Sequence, residues 1–405
     1  MRVSSFLRTG CMAVACLASS MVAFTVSADD RRPDDVERTL VFSPGDYDSK
    51  FYRIPALAVM SDGNLLAVAD KRIDKLSDLP GRIDVVGRIS TDNGRTWGDF
   101  FTILENDSIG GYGDPAVVVD RNTGDVIVIC SHGNGLWQDA PANITVVRST
   151  DNGRTWGEPL NINSMILTAE KDGPQPIKNV AGAFASSGAA LQLDNGRLMF
   201  SLVVRERGRG GFYNYAIYSD DGGHTWQVAE NPATGDGDEA KVAQLEDGTV
   251  IMSIRSRQKF GHRSFSYSHD RGKTWSEPVL IDDLPDPACN GDFIVCDYNG
   301  RQLLLQSMPA VIKIDPDFKP VQGTSLERAD IGVYGSFDGG KTFPVFRQIT
   351  WGPAAYSSMA ILPDGSLGVL TEEAVENAGP THQGGYRLWF LKMPLTEITG
   401  ESAGK

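Results

Sequence analysis

The sequence predicts an all-β chain folded as a six-bladed β-propeller of four-stranded antiparallel blades, the last blade closed by an N-terminal strand. Three observations carry that expectation. An octapeptide recurs five times, a hairpin of apolar strands around a glycine turn recurs six times, and the two alternate along the chain. The composition agrees, because 44 glycines and 9% aromatics among 405 residues favour many short strands joined by tight turns.

The octapeptide copies are STDNGRTW at 90–97 and again at 149–156, SDDGGHTW at 219–226, SHDRGKTW at 268–275 and SFDGGKTF at 336–343. Each has the chemistry of a tight turn: an aspartate to accept backbone N–H groups, a glycine to supply positive φ, and a terminal aromatic to fill the gap beside the strands. The octapeptide is therefore structural, and nothing in it is a candidate catalyst. The hairpins are AVMSDGNLLAVA, VVVDRNTGDVIVI, LQLDNGRLMFSLV, AQLEDGTVIMSI, IVCDYNGRQLLLQ and AILPDGSLGVL, with turn glycines Gly63, Gly124, Gly196, Gly248, Gly300 and Gly365. A hairpin plus an octapeptide turn makes a four-stranded meander of blade size. The sixth unit lacks an octapeptide, so the segment Arg38 to Phe42 is expected to supply its outer strand and leave no open edge.

Residues 1–28 have the pattern of a signal peptide. Arg2 and Arg8 precede an apolar run from Met12 to Phe24, and Val26-Ser27-Ala28 has the small-x-small form of a cleavage site. The run is too short to span a bilayer, so an exported protein, periplasmic or secreted, is expected, with 29–405 as a single propeller catalytic domain. Loss of the leader takes the formal charge from −14 to −16, which argues against nucleic acid or an anionic membrane surface as partner. Cys130, Cys289 and Cys296 then remain. Three cysteines make no disulfide framework, and whether Cys289 and Cys296 pair is open. No CxxC or histidine cluster suggests zinc, and no metal or cofactor is expected.

Alternation along an antiparallel meander places function. If the glycine turns share one rim, the octapeptide turns, two strands further on, share it too. The opposite rim carries the strand starts and the links between blades, and ligands bind where blades converge there. On that rim Arg53, Asp114, Ser186, Ser187, Glu239, Asn290, Asp292 and Tyr356 stand ahead of first hairpin strands. Arg72, His132, Arg205, Arg255, Arg257 and Glu372 follow returning strands, and Asp78, Trp137 and Arg328 lie in longer connections. Three arginines from different blades, Arg53, Arg255 and Arg328, can converge on one carboxylate, whose planar oxygens suit guanidinium forks better than lysine. A tyrosine and a glutamate can form a nucleophile and base, and a loop aspartate can act as acid. That set suits hydrolysis of a glycoside whose anomeric carbon bears a carboxylate. An anionic nucleophile would be repelled by the neighbouring charge, whereas a neutral phenol passing its proton to glutamate would not.

FYRIP at 51–55 and the five octapeptides resemble the Arg-Ile-Pro signature and Asp boxes of the bacterial exo-α-sialidase (neuraminidase) family, and the resemblance covers nearly all of the chain after the leader. It implies that Arg53, Arg255 and Arg328 bind the substrate carboxylate, that Tyr356 is the nucleophile polarised by Glu239, and that Arg72 and Asp114 contact the sugar's 4-hydroxyl. It also implies Glu372 as the support of Arg53 and Asp78 as acid/base, with Asp74 and Asp84 as nearby competitors. The implied activity is retaining hydrolysis of terminal sialic acids from glycoproteins, glycolipids or oligosaccharides through a tyrosyl-enzyme intermediate. A trans-sialidase, for which Trp137 could form an acceptor site or shield the pocket, stays open as an alternative. So do a glycosidase for a related acidic sugar and a non-catalytic sialic-acid-binding propeller. Linkage, N5 substituent and oligomeric state are not specified by the sequence.

Overall fold

A computed structural model describes residues 36–257, 261–310, 313, 328–375 and 384–400. The expected leader at 1–28 lies outside the described residues. Among the described residues, regular structure is mostly antiparallel strand, with two short α-helices at Asn163–Ile166 and Leu395–Thr399. It opens with β1 (Glu37–Phe42), then β2 (Phe51–Val59), β3 (Leu65–Arg72), β4 (Ile83–Ser90) and β5 (Phe101–Leu104). Next come β6 (Tyr112–Val119), β7 (Val126–His132), β8 (Asn143–Ser149) and β9 (Leu160–Asn161), then β10 (Val180–Ala185), β11 (Gly188–Ala189), β12 (Leu191–Gln192), β13 (Leu198–Glu206), β14 (Tyr213–Ser219) and β15 (Gln227–Val228). The second half holds β16 (Gly237–Gln244), β17 (Val250–Ser256), β18 (Gly261–Ser268) and β19 (Val279–Asp286), then β20 (Asp292–Tyr298), β21 (Arg301–Pro309), β22 (Ile331–Ser336) and β23 (Val345–Gln348). It closes with β24 (Ala354–Ile361), β25 (Leu367–Ala374) and β26 (Tyr386–Met393).

Hydrogen bonding groups these strands into five sheets rather than six equal blades. Four are separate blades: β6–β9 with β11, then β10 with β12–β15, each of five strands, and β16–β19 and β20–β23, each of four. The fifth is an eight-stranded sheet that joins β2–β5 to β24–β26 and β1. The expectation of six separate four-stranded blades is corrected on this point: the pairing of Tyr52 with Tyr386 fuses the first and last groups into one hydrogen-bonded unit. The third hairpin departs too. Its inner strand breaks after Ala185, and Gly188, at φ 101°, turns β11 onto β6 in parallel. The N-terminal closure is present, since β1 runs antiparallel to β26 from Glu37 opposite Lys392 to Phe42 opposite Leu388.

Contacts of β2 with β6, β6 with β10, β13 with β16, β16 with β20, β20 with β24 and β24 with β2 close a ring. The core lies between neighbouring sheets. Ala56, Val68, Val85, Val117, Val128 and Val147 fill one such layer, and Ile127, Ile129, Phe200, Leu202, Val204 and Trp226 the next. Burying each large aliphatic or aromatic side chain is worth about 1.5–3 kcal/mol, and the period-two pattern of the strands supplies them on both faces. Cys130, Cys289 and Cys296 are free thiols, so Cys289 and Cys296 do not pair. Among the described residues no helix is long and apolar enough to cross a membrane.

Each octapeptide begins on the last residue of a third strand and folds by one recipe. In SDDGGHTW the Ser219 hydroxyl donates to Asp221 and accepts the N–H of Gly223, while Asp221 also accepts the Thr225 N–H and hydroxyl. The serine's bridging part adds to the aspartate and glycine roles expected from the sequence. The glycine is required: Gly94 has φ 88° and a Cβ there would stand 1.9 Å from the Phe390 ring. These turns meet the glycine turns of adjacent strand groups on one rim, as where Ser61 donates to Asn152 at 2.7 Å and Asn93 to Asp364 at 2.6 Å. The candidate site must therefore be sought on the other rim.

Candidate active site

The inner strands bend where they reach that other rim. Register shifts fall between Arg53 and Ala56 in β2, Gly113 and Ala116 in β6, Gly237 and Ala240 in β16, and Ala354 and Ser357 in β24. Each irregularity bends its strand and re-aims a side chain. Arg53, Asp114, Glu239 and Tyr356 thus stand at the same level of four different inner strands, at or inside the irregularity rather than ahead of the strand. Ile54 and Asp114 have φ of 59° and 58°. For a β-branched residue that conformation is strained. Ile54 is held in it by the donation of its N–H to Glu372 Oε1 at 2.7 Å.

These side chains enclose a cavity of about 270 Å³, lined by Arg53, Asp78, Asp114, Glu239, Arg255, Arg328 and Tyr356 of the expected set. A larger space of about 520 Å³ lies on the opposite rim beside Asp297, Asp364 and Lys392, without the convergence of arginines, carboxylates and a tyrosine found in the smaller one. At the floor, Tyr356 Oη donates to Glu239 Oε1 at 2.5 Å. Arg255 Nη1 donates to Tyr356 Oη at 3.1 Å and also contacts Glu239 Oε2. Burial raises the Tyr356 hydroxyl well above its ordinary value and the Glu239 charge raises it further, so the phenol is neutral. Burial would also raise Glu239, but Arg255 and the Tyr356 hydroxyl outweigh it and hold that carboxyl below its usual range. A neutral phenol therefore sits in contact with an anionic carboxylate.

Glu372 is buried and organises the other side. It takes Arg53 Nε at 3.0 Å and Nη2 at 2.8 Å, a bidentate clamp, and accepts the Tyr356 N–H at 3.1 Å. Arg53 lies 4.9 Å from the Tyr356 ring centroid and Arg328 5.8 Å, so three guanidinium groups surround one phenol. Arg72 is buried and does not line the cavity; its Nη2 pairs with Oδ1 of Asp78, which does, at 2.8 Å and with Asp70 Oδ2 at 2.9 Å. Partial desolvation works to raise Asp78, whose side chain is still 73% exposed, but Arg72 and then Arg53 dominate and lower it, leaving it ionised. Burial, then Asp70 and Asp78, push Asp114 well above the usual carboxylate range. Of the competitors, Asp84 pairs with Lys71 at 3.6 Å and accepts from Asn106, and neither Asp84 nor Asp74 lines the cavity.

Other expected rim residues take supporting places. His132 meets Asp107, and Arg205 donates to the carbonyls of Leu136 and Gln138, bracing the loop that carries Trp137. Ser186, Ser187, Asn290 and Asp292 are buried. Arg257 stacks on Phe212. Sequence reasoning missed Asp70, Asp238 and the apolar wall of Leu136, Phe184 and Phe212. Asp70 carried a signal, because it stands two residues before Arg72 on the same strand and so on the same face. Burial raises Asp238, opposed by Arg255, whose Nη2 lies 3.6 Å away.

Fold and cavity together define a class: a β-propeller with an arginine-walled, tyrosine-floored pocket on the rim opposite its repeated turns. The model of the BNR repeat-like domain family matches residues 57–369. The chain is 33% identical over 340 residues to a sialidase of Micromonospora viridifaciens, covering 79% of this chain and 50% of that protein. It is 31% identical over 297 residues to a sialidase of Paraclostridium sordellii, covering 68% of this chain and 71% of that one. A solved Hadza microbial sialidase superposes with a TM-score of 0.74 at 28% identity, over 89% of this chain and 69% of the other. The chain belongs to the BNR repeat-like domain family and, within it, to the sialidases. It spans half the length of the Micromonospora relative.

Proposed function

We propose that this chain is an exo-α-sialidase that releases terminal sialic acids from glycoconjugates with retention of configuration, through a tyrosyl-enzyme intermediate. The observation that carries this reading is the 2.5 Å hydrogen bond from Tyr356 Oη to the anionic Glu239, set among Arg53, Arg255 and Arg328. The arginines grip the sugar carboxylate by charge-assisted bonds and orient the anomeric carbon over the phenol. Arg72 and Asp114 take the 4-hydroxyl. As that hydroxyl competes for Arg72, Asp78 loses the cation that keeps it ionised, takes a proton from solvent, to which its side chain is 73% exposed, and delivers it to the leaving glycosidic oxygen, a role worth about 10²- to 10⁴-fold. Tyr356 attacks while Glu239 accepts its proton. Water, giving a proton to Asp78, then attacks the anomeric carbon from the face the aglycone left; the bond to Tyr356 breaks, Glu239 returns its proton to the phenolate, and two inversions give retention.

Residues 29–405 then serve as the catalytic propeller, and the eight-stranded sheet is read as two blades joined at Tyr52 and Tyr386, which makes the ring sixfold. The unbroken sequence of contacts around the ring supports that reading. Trp137, 72% exposed at the cavity mouth, favours a second activity, transfer to an acceptor sugar stacked on its indole. Product analysis with and without lactose separates transfer from hydrolysis. For the main reading, Tyr356→Phe assayed on a fluorogenic sialoside is expected to lose about 10³-fold or more in kcat. Wild-type turnover by that variant would overturn the nucleophile.

A further inference from the structure

Arg53 and Arg255 are each held by carboxylates, but among the described residues no carboxylate lies within ion-pair distance of Arg328. Its anchor is a backbone carbonyl: Arg328 Nη2 donates to the oxygen of Ala288 at 2.6 Å. A neutral anchor aims the guanidinium without cancelling its charge, so Arg328 keeps its full attraction for an incoming anion. How that carbonyl is aimed is therefore a property of the site.

Ala288 has φ 55°, a left-handed conformation that a residue with a Cβ adopts only under constraint. The constraint comes from the turn at 286–290. The buried Asp286 side chain accepts the N–H of Cys289 at 3.2 Å and Arg263 Nη1 at 3.1 Å, and the same Arg263 nitrogen donates to the Cys289 carbonyl at 2.9 Å. Asp286 Oδ2 also accepts the N–H of Ser256 at 2.9 Å, and Ser256 directly follows Arg255. Asn290 Oδ1 ties the far end of the turn to the buried Lys241 at 2.8 Å. One buried carboxylate thus fixes both the backbone beside Arg255 and the turn whose carbonyl carries Arg328.

We propose that the turn at 286–290 is a positioning element that sets the separation of the Arg255 and Arg328 guanidinium groups, with the strained Ala288 carbonyl as its working end and Asp286 as its organiser. The inference rests on the proposed role of those arginines as the clamp for a substrate carboxylate. Neither Ala288 nor Asp286 touches the substrate, and both act through the arginines.

The test is Ala288→Gly, which relaxes the left-handed strain and loosens the aim of the carbonyl. The melting temperature is expected to equal or exceed wild type. KM for a fluorogenic sialoside and Kd for free sialic acid by calorimetry are each expected to rise about five- to tenfold, with kcat within about twofold. Asp286→Asn is expected to move KM in the same direction but risks the fold, because it breaks a buried ion pair, so Ala288→Gly is the deciding variant. A variant that is active yet holds KM and Kd within twofold of wild type overturns the inference. So does a fall in kcat with KM unchanged, which would assign the turn to the bed of Tyr356. Wild-type protein measured alongside distinguishes the levels: if it neither cleaves the sialoside nor binds sialic acid, the proposed function falls and this inference with it.

Discussion

At the octapeptide rim, five turns repeat one set of bonds, Gly N–H to Ser Oγ at 2.8–2.9 Å and Thr Oγ1 to Asp Oδ2 at 2.6–2.7 Å, each closed within five residues of sequence. At the opposite rim the bends of β2, β6, β16 and β24 present four different side chains, Arg53, Asp114, Glu239 and Tyr356, and the bonds they make join distant segments: Arg53 to Glu372 across 319 residues and Tyr356 to Glu239 across 117. The same meander carries both ends. Where partners are local, the turn can be copied and each copy is self-sufficient. Where partners come from elsewhere in the ring, every group depends on the others, and bulges, buried charge and left-handed backbone accumulate. Titration differs in cause: at the cavity rim charge decides as well as burial, and neighbouring arginines lower Asp78 and Glu239. Hydrogen bonds draw Asp151 and Asp221 down to about 2, whereas burial raises Asp70, Asp114 and Asp238.

The comparison breaks most readily at Glu372. Replacing it with Gln leaves Arg53 buried beside a neutral amide and releases the backbone of Tyr356. A loss of about 3–5 kcal/mol is expected, with activity down more than about 10²-fold. Denaturant melts and a sialoside assay check it, and near-wild-type stability would mean the clamp is not what holds this rim.

Asp221→Ala should do the reverse. A single self-contained turn loses its acceptor, Tm falls by about 2–4 °C, and kcat/KM stays within about twofold. A large drop in activity would show that the rims are coupled.

The smallest effect is in pH. For the octapeptide aspartates the folded value is depressed, so their stabilisation is present above the unfolded value of about 3.9 and lost as pH falls toward about 2. For Asp238 the folded value is raised, so its contribution is fullest below the unfolded value and lost as pH rises toward about 6. Asp238→Asn removes that loss. Its Tm relative to wild type should therefore climb by roughly a degree between about pH 4.5 and about pH 7. A relative Tm that declines over this range would reverse the assignment.

The same division explains what was legible in the sequence. Octapeptides and glycine turns are local patterns with local partners, and they located both the turn rim and the strand starts that carry Arg53, Asp114, Glu239 and Tyr356. The fusion of two strand groups at Tyr52 and Tyr386 left no mark, because it is one pairing between distant segments. The apolar wall was hidden for the same reason: Leu136, Phe184 and Phe212 belong to three segments with no shared spacing. Asp238 stood beside Glu239 and was passed over, since burial and not sequence decides which of two adjacent carboxylates ionises.

The pairing of β1 with β26 also has a consequence in time. Arg38 on the first strand meets Glu373, 335 residues further along, so during synthesis the opening strand must wait until nearly the whole ring has emerged before it has an edge to join. Closure of the ring is a late, long-range event, which marks a slow-folding topology and makes the waiting strand the segment most exposed to wrong partners.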